Sequence, residues 1–296
     1  MLQAQVRKTP EARLTPEQVH MYEDEGLVVP NHRVPKENRA QVKAALQEII
    51  DSNSGISPDL YRNPILPYRE GSIFGIKGGG LPFFEVAMLP EILDMVSQLL
   101  GPDLILWGSQ VFAKPAMTGL EVPWHQDSHF WQMQPLVACS VWIAIDDVTI
   151  ENGCMRYIPG SHRHGLLSHY VEGRNDVSVG DAVQPGLFDE KDAKDNVLMA
   201  GQFSIHHADL IHGSMPNRST KRRSGMVFRY MPATSHYNRD FMPPGASRTN
   251  TNQVDNKRQP IWLVRGQNRN PGNDFVIGHE QFKDIDAFVE RARSTE

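Results

Sequence analysis

From residue 103 onward the chain breaks into short apolar runs divided by turn residues, and this pattern limits the fold more than any other feature. Leu104-Ile105-Leu106-Trp107, Val137 to Ile145, Met155 to Ile158 and Gly225 to Met231 are rich in β-branched or aromatic residues, with Gly, Pro and Asn between them. Runs of this length and texture form strands of a sandwich or barrel. The first third reads differently. Thr15-Pro16-Glu17-Gln18 carries an N-cap, a proline at the first helical position and a capping-box glutamine. Pro35 precedes a second helix through Arg39, Val42, Leu46 and Ile49-Ile50, and Pro90 to Leu100 forms a third, closed by Gly101-Pro102. With 296 residues, 40% of them hydrophobic, one domain with a sizeable core is expected. Its parts are a helix-rich segment 1–102, a β core 103–235 with an insertion 166–200, and an extension 236–296. The extension holds a loop-rich stretch around Pro243-Pro244-Gly245 and a closing helix from Gln281 to Ala292.

Several function classes are excluded early. The net charge is -5 and the longest basic tract is Lys221-Arg222-Arg223, so no nucleic-acid surface is expected. No window approaches the roughly 20 apolar residues of a membrane span. Met1 to Arg13 has no apolar signal core, and Cys139 and Cys154 read as reduced thiols, so a cytoplasmic location is expected. Gly78-Gly79-Gly80 is a loop without the Lys-Ser/Thr of a phosphate cradle.

The chemistry begins at Trp124-His125-Gln126-Asp127. A histidine and an aspartate one residue apart in an extended segment share a face. One further histidine would complete the two-histidine, one-carboxylate triad that leaves metal positions open. Among 12 histidines the best placed is His212, which follows Leu210-Ile211 and precedes Gly213-Ser214 and Pro216-Asn217. Arg223 opens the run to Tyr230, expected as the hairpin partner of the strand carrying His212. In an apolar barrel a guanidinium is the natural partner of a 2-oxoacid's distal carboxylate, with Ser214 as a second donor. Taken singly, each of these residues has an ordinary structural explanation; their order and contexts together give them meaning.

Further pieces lie in sequence around this set. They are Leu14 to Gln18 with Glu25-Gly26-Leu27-Val28-Val29, Leu89 to Leu93, Lys114-Pro115, Glu151 to Met155 leading to Pro159-Gly160-Ser161-His162, and Asn217. Together they resemble the phytanoyl-CoA dioxygenase family of iron(II)/2-oxoglutarate oxygenases, which includes ectoine hydroxylase. The resemblance fades after about residue 235. It implies a double-stranded β-helix core, a cupin-like jelly roll. By resemblance His125, Asp127 and His212 bind iron(II), while Arg223 and Ser214 hold 2-oxoglutarate. Gln110, Trp142 and Lys77 match cosubstrate contacts, and O2 is the co-oxidant. Halogenases of this superfamily replace the carboxylate with a small residue, so Asp127 points to hydroxylation.

His129, Trp131 and Gln132 follow the metal motif, where substrate contacts tend to lie. His162 and Arg163 follow the Pro-Gly-Ser turn. Arg229 shares the strand face of Arg223 but lies roughly 20 Å along, which places it at the rim. This supply of polar groups suggests a small, polar or anionic substrate, such as an amino acid or an organophosphonate. The alternatives are an acyl-CoA hydroxylase of the same family and, from another class, a cupin-like metal-binding isomerase or binding protein. Arg223 with Ser214 discriminates against the last, which needs no carboxylate clamp.

Overall fold

The computed structural model describes residues 12–61, 64–68, 76–241 and 257–294. The expected Pro243-Pro244-Gly245 turn lies outside them. The first helix, α1 (Pro16–Glu25), begins as its sequence dictates: Thr15 accepts from the Gln18 N–H, the Gln18 side chain returns the bond, and Gly26 closes the helix at φ 80°. Then come α2 (Lys36–Ser52), α3 (Leu81–Ala87) and α4 (Pro90–Leu100), and α5 (Lys283–Arg293) ends the described chain. The sequence reading lacks α3, which follows the Gly78–Gly80 loop directly and carries a proline in its first turn.

The β core consists of antiparallel strands. The major sheet has the order β1 (Leu27–Val28), β10 (Phe203–His207), β5 (Cys139–Ala144), β12 (Arg223–Pro232), β2 (Leu104–Lys114) and β14 (Trp262–Arg265). The minor sheet has the order β3 (Val122–His125), β11 (His212–Ser214), β6 (Met155–Tyr157) and β9 (Lys194–Asn196). Two small pairs accompany them: β4 (Met133–Gln134) with β13 (His236–Tyr237), and β7 (His169–Val171) with β8 (Asp181–Val183). This is a jelly-roll core flanked by helices. The edge strands β1 and β14 come from outside 103–235, one on each side of that span. Within 166–200, β7 and β8 pair with each other and β9 joins the minor sheet.

One expectation is corrected. Arg223–Tyr230 is not the hairpin partner of the His212 strand. β11 pairs with β3 and β6, whereas β12 pairs with β2 and β5, so the turn between them crosses from one sheet to the other.

The major sheet explains the division of labour. Its strands alternate with period two. Val111, Ala113, Val141, Ile143, Phe203, Ile205, Met226 and Phe228 form one apolar cluster with the buried residues of α2, α3, α4 and α5. The intervening residues point the other way: Gln110, Ser140, Trp142, Ser204, His206, Gly225 and Arg229. Strand partners share a face, and the register places His206, Ser140 and Arg229 in one row. An unusually polar inner face marks where the chemistry sits.

Candidate functional site

His125 ends β3, Gln126 remains extended at φ -115° and ψ 130°, and Asp127 begins a short 3-10 turn. His212 opens β11 directly opposite His125, and their rings lie 4.2 Å apart. β3, the turn that follows it and β11 thus deliver the three side chains, and their ligand atoms lie within 4.8 Å of one another. Gln126 points away. Its side chain donates to Gly165 O and Asp209 O at 2.8 and 2.7 Å, and accepts from the Leu167 N–H at 2.8 Å. It thereby ties the metal strand to two neighbouring loops.

The donor set fits a divalent transition ion. His125 Nδ1–H donates to Pro123 O at 2.8 Å and His212 Nδ1–H donates to Leu210 O at 2.9 Å. Each carbonyl fixes the tautomer and leaves the Nε2 lone pair free. Burial lowers the pKa of both rings, His212 further because His125 adjoins it. Burial pushes Asp127 up, but His206, Arg229 and His212 more than offset this and hold it far below the usual carboxylate range. Two neutral imidazoles and one carboxylate are ready to ligate. Metal binding near pH 7 should therefore release almost no protons, which calorimetry in buffers of different ionisation enthalpy would measure. The stability sign follows: these histidines bind protons more weakly when folded, so the metal-free protein should lose stability as pH falls below about 6.5. Acid titration of its melting temperature reads that loss.

The two Asp127 oxygens differ. Oδ1 lies 3.8 Å from His125 Nε2, on the ligand side. Oδ2 accepts from Ser140 Oγ–H at 2.9 Å and lies 3.6 Å from His206 Nε2. Ser140 and His206 come from the major sheet; the Ser140 hydroxyl occupies the oxygen that would otherwise swing toward the ion, and His206 lies beside it. Ser140→Ala should weaken iron(II) binding about 10–100-fold with the fold unchanged, as anaerobic metal titration would show. His206 lies outside the three-donor set, and its neighbour His207 turns toward His162, with 5.1 Å between rings.

Arg223 and Ser214 meet across the two sheets. Arg223 Nη2 donates to Ser214 Oγ at 3.4 Å, and Nε donates to Gly153 O at 3.1 Å. Nη2 also reaches Gly153 O. The Glu151-Asn152-Gly153 turn exists to present that carbonyl. Asn152 accepts from the Thr149 N–H and donates to Asp147 O, and Gly153 takes φ 78° where a Cβ would strike Met215 O. Trp142 lies beside the guanidinium, its ring centroid 5.5 Å from Cζ. It fits because Gly225 has no side chain; a Cβ there would overlap the indole. Lys114 is buried behind this pair and donates to Met215 O at 2.6 Å. Asn217 donates to Lys114 O and Lys221 O, holding the crossing turn.

The other expected residues divide. Gln110 is buried and accepts from Arg229 Nη2 at 3.1 Å. Arg229 is therefore not a rim residue. It shares a row with Ser140, and its charge acts on both Asp127 and His125. Trp131 is buried edge-to-face against Trp107, with centroids 4.9 Å apart. His129 bonds Asp181 at 2.9 Å and stacks on His169 at 4.0 Å. Burial and His129 lower His169 to about 4, so it stays neutral and accepts from the Gln126 N–H. Arg163 and Lys77 are not brought to the centre. Arg163 is exposed and pairs with Asp24 of α1 at 3.4 Å. Lys77 is exposed, and Asn53 takes its backbone N–H and C=O. Sequence reasoning missed Ser140, His206 and Gly153; the Asn-Gly turn was visible, but its carbonyl's partner was not.

The chain is similar to several known proteins. A family model described as phytanoyl-CoA dioxygenase matches residues 2–225. A phytanoyl-CoA dioxygenase of Arabidopsis thaliana is 36% identical over 120 residues, which is 40% of this chain and 41% of that protein. An L-proline trans-4-hydroxylase of Streptomyces griseoviridis is 29% identical over 54% of this chain and 66% of its own. Both matches span less than two thirds of the relative. The solved structure of ThoJ, a non-heme monooxygenase, superposes with a TM-score of 0.63 at 26% identity, covering 94% of this chain and 96% of that one.

Proposed function

The chain belongs to the phytanoyl-CoA dioxygenase family, and on that premise we propose that it is an iron(II)- and 2-oxoglutarate-dependent dioxygenase that hydroxylates a C–H bond of a small, polar or anionic metabolite. One observation carries the reading: a His-Asp-His set from the minor sheet and the turn after β3 accompanies an Arg-Ser pair that joins both sheets. A metal site alone would suit an isomerase or a binding protein. The Arg223–Ser214 pair adds a seat for a distal carboxylate, which only a 2-oxoacid cosubstrate requires.

Iron(II), with 2-oxoglutarate and O2, would supply the oxidant. The protein's residues do the positioning. His125 and His212 present Nε2, Asp127 presents Oδ1, and Ser140 keeps Oδ2 occupied. Arg223 and Ser214 orient the cosubstrate, with Trp142 as its wall. Gln110, Arg229, His129 and Trp131 remain for the substrate, whose class they favour as small and polar. An acyl-CoA needs an apolar path for its chain.

Anaerobic addition of iron(II) and 2-oxoglutarate should produce the weak visible charge-transfer band of the chelate, and oxygen uptake should match succinate formed. Intact iron binding without that band would instead favour the isomerase or binding-protein reading. Amino acids, phosphonates and acyl-CoAs are the panel to screen. Coupled turnover confined to long-chain acyl-CoA would remove the small-substrate reading.

A further inference from the structure

We propose that Arg229, with the indole N–H of Trp107, forms a subsite for one oxyanion group of the substrate, a carboxylate or its phosphorus counterpart. This rests on the oxygenase reading and deepens it.

The placement is built by the sheet. β12 and β2 shift register between Arg229 and Tyr230, with Arg229 opposite Gly108 and Tyr230 opposite Leu106. Trp107 is thus the extra residue of a bulge, a device that re-aims a side chain. Its ring centroid lies 5.8 Å from Arg229 Cζ, and that of Trp131 lies 5.6 Å away. Two indoles and the Gln110 carbonyl oxygen hold the guanidinium, so little freedom remains to be lost when a ligand binds. Arg229 Nε–H and Trp107 Nε1–H are both buried and have no acceptor among the described residues. Two unmet donors on neighbouring groups call for an acceptor, and one of them carries a positive charge.

Charge counting points the same way. A divalent ion, the Asp127 carboxylate, the cosubstrate dianion and Arg223 cancel one another. Lys114 and Asp59 act on each other behind Arg223, and Asp181 hydrogen-bonds His129. Arg229 forms no ion pair among the described residues: its direct partners, Gln110 and the two indoles, are uncharged. A singly charged oxyanion restores the balance. The cosubstrate's distal carboxylate is assigned to Arg223, six residues back along β12, so Arg229 is not needed for that group.

The probe is acetate, with phosphite as second anion, titrated calorimetrically into protein loaded with nickel(II) and saturating 2-oxoglutarate. The 2-oxoglutarate isotherm comes first and tests the oxygenase reading by itself; the acetate arm reads Arg229 whatever that result. Wild type should bind acetate saturably in the millimolar range. Arg229→Gln should weaken it about 10–100-fold while leaving 2-oxoglutarate affinity nearly unchanged. Trp107→Phe keeps the charge and an aromatic ring, and should weaken acetate by a smaller factor, which keeps the test alive if Arg229→Gln does not fold. Two results overturn the proposal: no saturable anion binding by wild type, or an equal loss of 2-oxoglutarate and acetate affinity in Arg229→Gln. The latter would assign the carboxylate to the cosubstrate.

Discussion

Asp127→Ala is expected to abolish iron(II) retention and turnover together while the jelly roll persists. Asp127 is the only anionic donor of the three ligand candidates. Without it two neutral imidazoles remain, facing the positive charge of Arg229, which then has no counter-charge to offset it. A cation approaching that field is repelled. Loss of an outer-shell partner alone costs about 10–100-fold in metal affinity, so loss of the charged ligand should exceed that. The structural cost should be smaller, because Asp127 lies in a turn after β3 and its one hydrogen-bonded side-chain partner is the Ser140 hydroxyl. Metal content by mass spectrometry and far-UV circular dichroism separate the two effects. Wild-type iron affinity in a folded Asp127→Ala protein would remove Asp127 from the ligand set.

Arg223→Ala should raise the 2-oxoglutarate requirement by about two to four orders of magnitude, since two charge-assisted hydrogen bonds are lost. It should also lower stability by roughly 2–4 kcal/mol. Gly153 O loses its donors, and a cavity opens beside Trp142 in the sheet. Cosubstrate affinity, read from the anaerobic charge-transfer band, and a urea melt give the two numbers independently. Arg223→Lys should restore part of the stability and little of the affinity, because an ammonium cannot reproduce the planar fork. An unchanged 2-oxoglutarate affinity in Arg223→Ala would move the clamp elsewhere, with Lys114 the next cation to examine.

Much of this was legible in the residues because local rules governed it. The Thr15–Gln18 capping box and the Gly101 stop are short-range physics, and the structure places those helix ends where the sequence does. The His-x-Asp pair needed only strand alternation. What escaped depended on partners distant in sequence. Alternation tells which face a residue occupies but not which strand lies beside it. The β12 run was therefore paired with the His212 strand, although it belongs to the other sheet. Arg229 was placed at a rim by counting strand rise; the long side chain and the Trp107 bulge return it to the centre. Lys77 rests on resemblance and Arg163 on its place after the Pro-Gly-Ser turn; both lie outside strands, where no alternation fixes direction. Ser140 and His206 gave no local signal at all, because their meaning arises only when the row they share faces Asp127.

The ligand candidates hang from one wall and the turn that follows it, while Ser140, which steadies the carboxylate, and Gln110 and Arg229 hang from the other. The Arg223–Ser214 pair spans the gap, with Lys114 reaching Ser214 O and Asn196 reaching Ser204 beside it. A dianion seated there would work as a rivet between the layers, so loading the cosubstrate should also tighten the housing around the reaction. The same arrangement leaves the far wall open to change: it can acquire new tastes in substrate while the reagent on the near wall is left undisturbed.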